Sequence, residues 1–266
     1  MMRETAILQT GIYNEGEFMN IMQMGRDELL ALRPETVQRA LTADEVVYMA
    51  TVLGAFWAYD YKAASEGRFG RHALLKSERH SDGFFVSKIL LAYANILRIM
   101  AYQMVMKLVA MGVPRPDFVV GVPDGATSLG NEIAKMLDAP VAEMKKIDGQ
   151  LVLTGSVYNG AELLVVEDFC TRGTSFAEAI LELIRKIPRV SFVPYDPVII
   201  NRGGLEIIPV NGVGDFRILP VVNRRIQDWD ASCPLCEMGS KPIKPKATDE
   251  NWRLITTSQL AQTALE

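Results

Sequence analysis

The sequence has few of the residues on which redox, metal and acid–base chemistry usually depend. Its 266 residues include three cysteines and two histidines, His72 and His80. Three cysteines cannot form a framework of disulfides, so we expect a reducing, cytoplasmic compartment. We expect both histidines to be structural or exposed rather than general bases.

A strong positive charge and an uninterrupted hydrophobic run are absent as well. The net charge of −4 argues against a nucleic-acid partner, because phosphate backbones require clustered Lys and Arg. Polar residues, Asn95 and Arg98 among them, interrupt the most apolar stretch, residues 89–111. We interpret residues 87–111 as one long buried helix, and we expect no membrane as a partner.

Hydrophobic patterning in the middle of the chain predicts an α/β fold. Apolar residues make up 49% of the chain, which permits a large core. Strands alternate with helices, which is typical of a parallel sheet covered on both faces. We predict strands at 118–122, 163–166, 198–201, 206–210 and 217–222, a strand starting at 141–144, and helices at 127–137 and 175–187.

The flanking segments carry weaker signals. Thr42 and Glu45 form a capping-box pattern that predicts a helix from there to Gly67. The Lys- and Pro-rich stretch 240–249 predicts an extended tail, with Trp252 anchoring the end of the chain. We divide the chain into an N-terminal helical extension (1–66), an α/β domain (67–222) and a C-terminal extension (223–266).

The most informative segment joins a buried strand to a helix. The apolar residues 163–166 are followed by Glu167 and Asp168, at the end of the strand where open α/β sheets bind ligands. The next turn offers backbone N–H groups, hydroxyls and an arginine at a helix N-terminus, a combination that favours a phosphate. A plain strand-to-helix turn, capped by Ser175 and Glu178, is the alternative. The turn consists of Thr171, Arg172, Gly173, Thr174 and Ser175.

This segment resembles the phosphoribosyl-pyrophosphate (PRPP) signature of the type I phosphoribosyltransferases. The resemblance implies that Glu167 and Asp168 hold the ribose hydroxyls and that residues 171–175 cradle the 5-phosphate. It also implies Mg²⁺ held mainly by the substrate, a central parallel sheet flanked by helices with a hood built from flanking segments, and a homodimer. Phe169, Cys170 and Thr174 depart from the family pattern, which has smaller aliphatic residues and a second glycine there.

Two further segments resemble the diphosphate-binding parts of the same family. Pro123, Asp124 and Gly125 form a turn between a predicted strand and a predicted helix, like the family's pyrophosphate loop. Lys145 and Lys146 stand where the family carries basic residues that pair with diphosphate. Without the resemblance, residues 123–125 could be an ordinary structural turn, and Lys145 and Lys146 could be solvated surface charges.

Residues 75–85 resemble the N-terminal motif of orotate phosphoribosyltransferases. The resemblance implies that Lys76 reaches the substrate anion and that Phe84 and Phe85 border the base. Glu78 occupies the family's usual glycine. The stretch 147–155 lacks the Lys and His of the family's closing loop, and Thr171 stands where 6-oxopurine enzymes place an Asp.

We therefore expect a PRPP-dependent phosphoribosyltransferase, a pentosyltransferase that transfers ribose 5-phosphate to a nucleobase, with an orotate-like pyrimidine favoured, and releases diphosphate. Three alternatives remain: a non-catalytic PRPP-binding regulator, which the missing loop residues favour, a transferase for another acceptor, and a zinc-stabilised interaction module with Cys233 and Cys236 at its core. Cys233 and Cys236 have the spacing of zinc ligands. A Cys₄ site needs two more thiolates, so a zinc half-site and a reduced surface turn both stay open.

Overall fold

A computed structural model describes residues 20–230 and 232–260 of the chain. The N-terminal extension before residue 20 lies outside the described residues, as do Ala231 and residues 261–266 of the C-terminal extension. The described part of the predicted N-terminal extension contains, in this order, a 3-10 helix at Ile21–Gln23, α1 (Arg26–Ala31), a second 3-10 helix at Pro34–Thr36, α2 (Ala43–Val52), β1 (Phe56–Ala58) and α3 (Tyr61–Ser65).

The predicted capping box at Thr42 is confirmed, but the predicted length of its helix is wrong. Thr42 Oγ1 accepts the N–H of Glu45 at 3.2 Å, and the Glu45 carboxylate accepts the N–H of Thr42 at 2.8 Å. The helix ends at Val52 because Gly54 adopts a left-handed φ of 75°. The chain then pairs as a strand with residues 83–85 instead of continuing as helix to Gly67.

The apolar stretch 87–111 forms two helices where one was predicted. A turn separates α4 (Ser87–Leu90) from α5 (Ala94–Ala110), and the Asn95 amide donates to the carbonyls of Leu29, Leu30 and Leu32. The polar interruption thus holds the C-terminal end of α1. Among the described residues, no helix has the length and apolar character needed to cross a membrane. This part of the chain contains β2 (Arg71–Leu74), β3 (His80–Ser81), β4 (Gly83–Phe85), α4 (Ser87–Leu90) and α5 (Ala94–Ala110).

The middle of the chain alternates strands and helices as predicted. Residue Val141 makes only an isolated bridge to Val119, so the strand predicted at 141–144 instead begins at Met144. The elements are β5 (Phe118–Gly121), α6 (Thr127–Met136), β6 (Met144–Ile147), β7 (Gln150–Leu153), β8 (Glu162–Val166), β9 (Phe169–Cys170), α7 (Thr174–Lys186), β10 (Ser191–Phe192), β11 (Tyr195–Asn201), β12 (Ile207–Val210) and β13 (Gly214–Asn223).

The predicted parallel sheet is confirmed. Strand β8 lies between β5 and β10, and β11 lies between β9 and β13, with every one of these pairs parallel. The N–H of Ile199 donates to the carbonyl of Asp168 at 3.1 Å, so pairing continues between the two groups of strands. Strand β12 runs antiparallel to β13 at one edge. The carboxyl ends of β5, β8 and β11 therefore meet along one side of the sheet.

Helices cover both faces of this sheet. Alternate residues of β8 belong to different layers, since side chains of a strand point to opposite faces. Leu164 and Val166 pack with residues of α5 and α6, whereas Leu163 and Val165 pack with residues of α7. This arrangement is the α/β class predicted from the sequence.

A second, smaller sheet combines two distant segments of the chain. Its strand order is β14 (Asp228–Trp229), β3, β2 and β15 (Lys241–Ile243), so the C-terminal extension pairs with residues 71–81. Trp252 donates from Nε1 to the Gly54 carbonyl at 3.0 Å, which confirms the predicted anchor. This sheet corresponds to the predicted hood, but two of its strands, β2 and β3, come from the segment that we assigned to the α/β domain. The last elements are β14 (Asp228–Trp229), α8 (Pro234–Glu237), β15 (Lys241–Ile243) and α9 (Asp249–Thr257).

Thr42→Ala should lower the free energy of unfolding by about 1 kcal/mol, because it removes the side-chain acceptor at the start of α2. Urea unfolding monitored by circular dichroism would measure the change. Thr51→Ala is the matched control, since Thr51 lies exposed on the same helix and bonds only the Val47 carbonyl. We expect the control to stay within about 0.5 kcal/mol of the wild type. Equal losses in both variants would contradict the capping role.

Candidate active site

A cavity of about 590 Å³ lies where the carboxyl end of the central sheet meets the smaller sheet. Glu167 and the turn after β9 form one wall, and residues of the smaller sheet and its following loop form the other. The cavity therefore brings together segments predicted separately from the sequence. Its lining includes Lys76, Phe84, Glu167, Thr171, Arg172, Gly173, Thr174, Ser175, Arg202, Lys244 and Lys246.

The turn after β9 ends in an open helix N-terminus. Gly173 precedes α7 with a left-handed φ of 67°, and a Cβ there would lie 2.5 Å from Ile208 Cδ1. Gly173 precedes α7 and provides no side-chain cap, so the predicted alternative of a Ser175–Glu178 capping box is wrong. The Phe176 N–H bonds to Glu167, and the other N–H groups of the first turn can bind an anion. Thr174, which departs from the family's glycine, is the first residue of α7.

The two adjacent acids are held in a largely apolar setting. Burial, and then the neighbouring Asp168, raise the pKa of Glu167 to about 8, while the Phe176 N–H opposes this shift. Burial also raises the pKa of Asp168, against hydrogen bonds from the Ser87 hydroxyl and the Phe169 N–H. The pair therefore resists carrying two negative charges unless a cation or hydrogen-bond donors enter the cavity.

A third acid, Asp196, lies behind the pair and escaped the sequence analysis. It is 0% exposed, and neither carboxylate oxygen has a hydrogen-bond partner among the described residues. Burial, and then Glu167, raise its pKa well above the usual range. The only signal in the sequence was an acid just before the predicted strand 198–201.

Asp196, Glu167 and Cys170 offer ligand atoms within 4.8 Å of one another. Burial, followed by Asp196, raises the pKa of the Cys170 thiol to about 12. Metal ligands of these types bind in their deprotonated forms. A protonated thiol beside protonated acids is therefore a poor metal site.

The second predicted turn meets the acid pair. A Cβ on Gly125 would lie 2.6 Å from Asp168 Cγ, so this loop follows the acid closely. The Pro123–Asp124 peptide is cis. Pro123, Asp124, Lys145 and Lys146 line a cavity of about 310 Å³, and both lysines are exposed. The structure thus brings Pro123, Asp124 and the two lysines to one cavity, and the loop that contains Pro123 and Asp124 contacts Asp168 through Gly125.

The two aromatic residues predicted at the base lie in different places. Phe84 lines the main cavity, with its ring 6.1 Å from Trp252 and Lys246 Nζ 5.8 Å from its centre. Phe85 is 4% exposed and packs edge-on against Phe169 at 4.4 Å. The geometry therefore offers Phe84, and not Phe85, to a ligand.

Three basic residues of the cavity were not predicted. Arg202 follows β11, and burial lowers the pKa of its guanidinium while Nε has no partner among the described residues. Arg202 also lines an adjoining cavity of about 540 Å³ with Arg79, Arg172 and Arg225. Lys244 and Lys246 come from the tail, and the Lys- and Pro-rich composition of that tail was the only feature of the sequence that could have indicated them. The cavity is therefore suited to an anionic ligand.

Two departures from the family pattern have structural counterparts. Glu78, at the usual glycine, keeps a left-handed φ of 60°, and its carboxylate pairs with Lys244 Nζ at 2.8 Å. Residues 147–155 lie mostly in the β6–β7 hairpin, whose tip at Asp148 and Gly149 is exposed. The Lys and His expected in the closing loop are thus missing from an accessible hairpin next to Lys146.

The structure places the CxxC pair beside both histidines. Cys233 immediately precedes α8, Cys236 lies within it, and their sulfur atoms approach His72 and His80. His72 is buried and His80 is half-buried. Neither histidine lines the main cavity.

The comparisons with known proteins confirm the resemblance predicted from the motifs. No family model matches the chain. The orotate phosphoribosyltransferase of Acidithiobacillus ferrooxidans is 29% identical over 216 residues, which cover 77% of this chain and 97% of the relative. That of Wolinella succinogenes is 28% identical over 185 residues, 65% of this chain and 88% of the relative.

Solved structures give a partial overlap. Orotate phosphoribosyltransferase from Francisella tularensis aligns with a TM-score of 0.48 and 18% identity over 70% of this chain and 85% of its own. The enzyme from Aeropyrum pernix aligns with a TM-score of 0.46 and 21% identity, over 60% and 93% respectively.

Asp196→Asn should make the free energy of unfolding less dependent on pH. The raised pKa means that the folded protein keeps this proton when the unfolded chain has lost it. The stability linked to that proton is present below the unfolded pKa and is lost as pH rises through the folded pKa. We therefore expect the variant to gain stability relative to the wild type as pH rises above about 4, the ordinary pKa of an Asp side chain in an unfolded chain.

Urea unfolding at each pH would measure this difference. Asp215→Asn, at an exposed residue of β13, is the matched control, and its free energy of unfolding should depend on pH as that of the wild type does. If Asp196→Asn shows the same pH dependence as the wild type, Asp196 is not held protonated in the folded protein.

Proposed function

We propose that the chain transfers ribose 5-phosphate from PRPP to an orotate-like pyrimidine and releases diphosphate. One observation carries the proposal: a buried acid pair and the N-terminus of α7 lie at the same edge of a parallel sheet, and Glu167 and the turn before α7 line one cavity. The acids suit a sugar diol and the helix N-terminus suits a phosphate. The orotate phosphoribosyltransferase of Acidithiobacillus ferrooxidans, which aligns with 77% of this chain, supports this assignment.

The geometry supports a defined placement of PRPP. Glu167 and Asp168 would accept hydrogen bonds from the ribose hydroxyls, and residues 171–175 would hold the 5-phosphate. The loop at Gly125 lies against Asp168, so a ribose at the acids would direct its diphosphate toward that loop. Lys145 and Lys146 would then face the diphosphate.

Mg²⁺ fits the same arrangement. It prefers oxygen ligands and usually binds through one or two carboxylates together with substrate phosphates. The ion would be held mainly by diphosphate and sugar oxygens of PRPP, with Glu167 and Asp168 beside the sugar. The positive charge of Lys246 already acts on Asp168. When bound, the ion would neutralise charge on the diphosphate.

The opposite wall would receive the base. Lys76 and Arg202 contribute positive charge, and Phe84 contributes an aromatic face. Orotate carries both a carboxylate and a planar ring, so it matches this combination. A guanidinium can bind a carboxylate with two parallel hydrogen bonds, which favours Arg202 as the main partner of the carboxylate.

The protein's part in the reaction is then orientation and charge stabilisation. Displacement at C1 of the ribose places positive charge on the sugar ring while diphosphate leaves. Glu167 and Asp168 lie where that charge would develop, and a cationic ring beside them favours their ionised forms.

A non-catalytic PRPP-binding regulator is the second candidate. The observation in its favour is the β6–β7 hairpin, whose stretch 147–155 contains no Lys or His. A transferase for another acceptor shares the same PRPP site. Diphosphate release measured across a panel of nucleobases, with PRPP and Mg²⁺, separates the three.

Orotate-dependent release supports our proposal. Release with a different base identifies another acceptor. Tight PRPP binding without release from any base supports the regulator.

We also propose that the protein acts in the cytoplasm as a homodimer. Cys170, Cys233 and Cys236 form no disulfide with one another, as expected in a reducing compartment. Exposed apolar side chains at the end of α5, Val109 and Met111, could pack against a second copy. Analytical ultracentrifugation would test the oligomeric state.

Asp168→Asn should weaken PRPP binding or turnover about tenfold or more, since a hydrogen bond to a charged group is worth roughly 1.5–3 kcal/mol. Isothermal titration and steady-state kinetics would measure the two effects. Asp215→Asn serves as the control because Asp215 is exposed on β13 and outside the cavity. Unchanged constants in Asp168→Asn would remove this residue from the site.

Arg202→Gln should raise the KM for orotate by about tenfold or more and change the KM for PRPP much less, because only the base carries the carboxylate. Steady-state kinetics with each substrate varied in turn would measure the split. Arg189→Gln, at an exposed arginine before β10, is the matched control. A larger effect on PRPP would assign Arg202 to the phosphates instead.

A further inference from the structure

Four side chains with metal-binding atoms converge outside the candidate active site. His72 lies on β2, His80 lies on β3, and Cys233 and Cys236 lie at the start of α8. One ligand atom from each lies within 4.8 Å of all the others. The cluster therefore joins the hairpin of β2 and β3 to the C-terminal extension.

The distances within the cluster match a tetrahedral site. With Zn–S near 2.3 Å and Zn–N near 2.0 Å, a tetrahedron has nitrogen–sulfur edges of about 3.5 Å. His72 Nε2 lies 3.7 Å from Cys233 Sγ and 3.6 Å from Cys236 Sγ. His80 Nδ1 lies 3.3 Å from Cys236 Sγ. The two imidazole nitrogens are 2.8 Å apart, so they would separate slightly around an ion.

The surroundings orient His72 as a ligand. Its Nδ1 lies 2.9 Å from Ser240 Oγ, and that hydroxyl can donate to the Gly70 carbonyl at 3.4 Å. His72 Nδ1–H then donates to the serine, which leaves Nε2 with a lone pair facing His80 and both sulfurs. Ligating histidines in metal proteins are held by such a bond from the second ring nitrogen.

We propose that His72, His80, Cys233 and Cys236 bind one structural zinc ion. Two thiolates and two neutral imidazoles form a closed tetrahedral shell with no position left for substrate. Thiolate and imidazole ligands favour Zn²⁺ over Mg²⁺ or Ca²⁺, which prefer oxygen. Binding displaces the two thiol protons to solvent and involves no change in oxidation state.

The position of the site gives the ion a structural role. His72 and His80 stand on either side of the loop that carries Lys76, and β15 leads from α8 to Lys244 and Lys246. These lysines line the main cavity. Zinc would therefore fix the wall of the cavity that faces the central sheet.

Metal analysis of the full-length chain, purified without chelator, tests the proposal directly. We expect about one zinc ion per chain. Replacing zinc with Co²⁺ should give the visible absorption bands of tetrahedral thiolate coordination, and chelator should lower the thermal midpoint of unfolding. A chain that holds no zinc and gives no such bands on cobalt addition would overturn the proposal.

Matched variants locate the ion. Cys236→Ser should lose the zinc, whereas Cys170→Ser, at the thiol near Glu167, should keep it. Ser240→Ala retains all four ligands and should weaken zinc affinity about ten- to a hundredfold. Circular dichroism would confirm that each variant is folded, and the cobalt titration of the wild type does not depend on any variant.

Zinc retained in Cys236→Ser, or lost in Cys170→Ser, would contradict the assignment. None of these measurements involves PRPP or a base. An inactive chain that binds zinc would therefore refute the proposed function alone, and an active chain without zinc would refute only this site.

Discussion

The burial of adjacent carboxyl groups at the end of β8 is the constraint on which the rest of the structure depends. A buried carboxylate is unfavourable unless hydrogen bonds or positive charge compensate for it. Here the compensation comes from three directions: the Phe176 N–H of α7, the Ser87 hydroxyl near α4, and Lys246 of the C-terminal extension. The sheet, the helix and the smaller sheet must therefore be assembled together around the pair, and a ligand with hydroxyls or a cation completes it.

The parts of the fold predicted from the sequence are those set by local order. The acids, the turn and the start of α7 are consecutive in the chain, so their mutual placement follows from one strand-to-helix connection. The pattern could not reveal that the helix after Thr42 ends at Val52. The apolar residues beyond Gly54 repeat at helical spacing, but β1 is drawn into pairing with β4, a contact between segments about 27 residues apart.

The candidate site was predicted in its contiguous parts and missed where distant segments supply it. Arg202 and Lys246 reach the cavity only because β11 ends beside β9 and β15 pairs with β2. Asp196 was missed because a buried acid without a partner contradicts the usual expectation for a strand. Likewise, Cys233 and Cys236 indicated half of a metal site, but the antiparallel pairing of β2 with β3 was needed to bring the two histidines together.

The hydrogen bond from Trp252 Nε1 to the Gly54 carbonyl has a consequence for biosynthesis. Chains emerge from the ribosome N-terminus first, at about 5–20 residues per second. The central sheet uses residues up to 223, whereas the second wall of the cavity includes Asp228 and residues 244–247. The nascent polypeptide can therefore assemble its sheet while translation continues, but the cavity is complete only after residues 244–247 have left the exit tunnel. Trp252 must emerge as well before it can donate to Gly54 and tie this wall to the body of the protein.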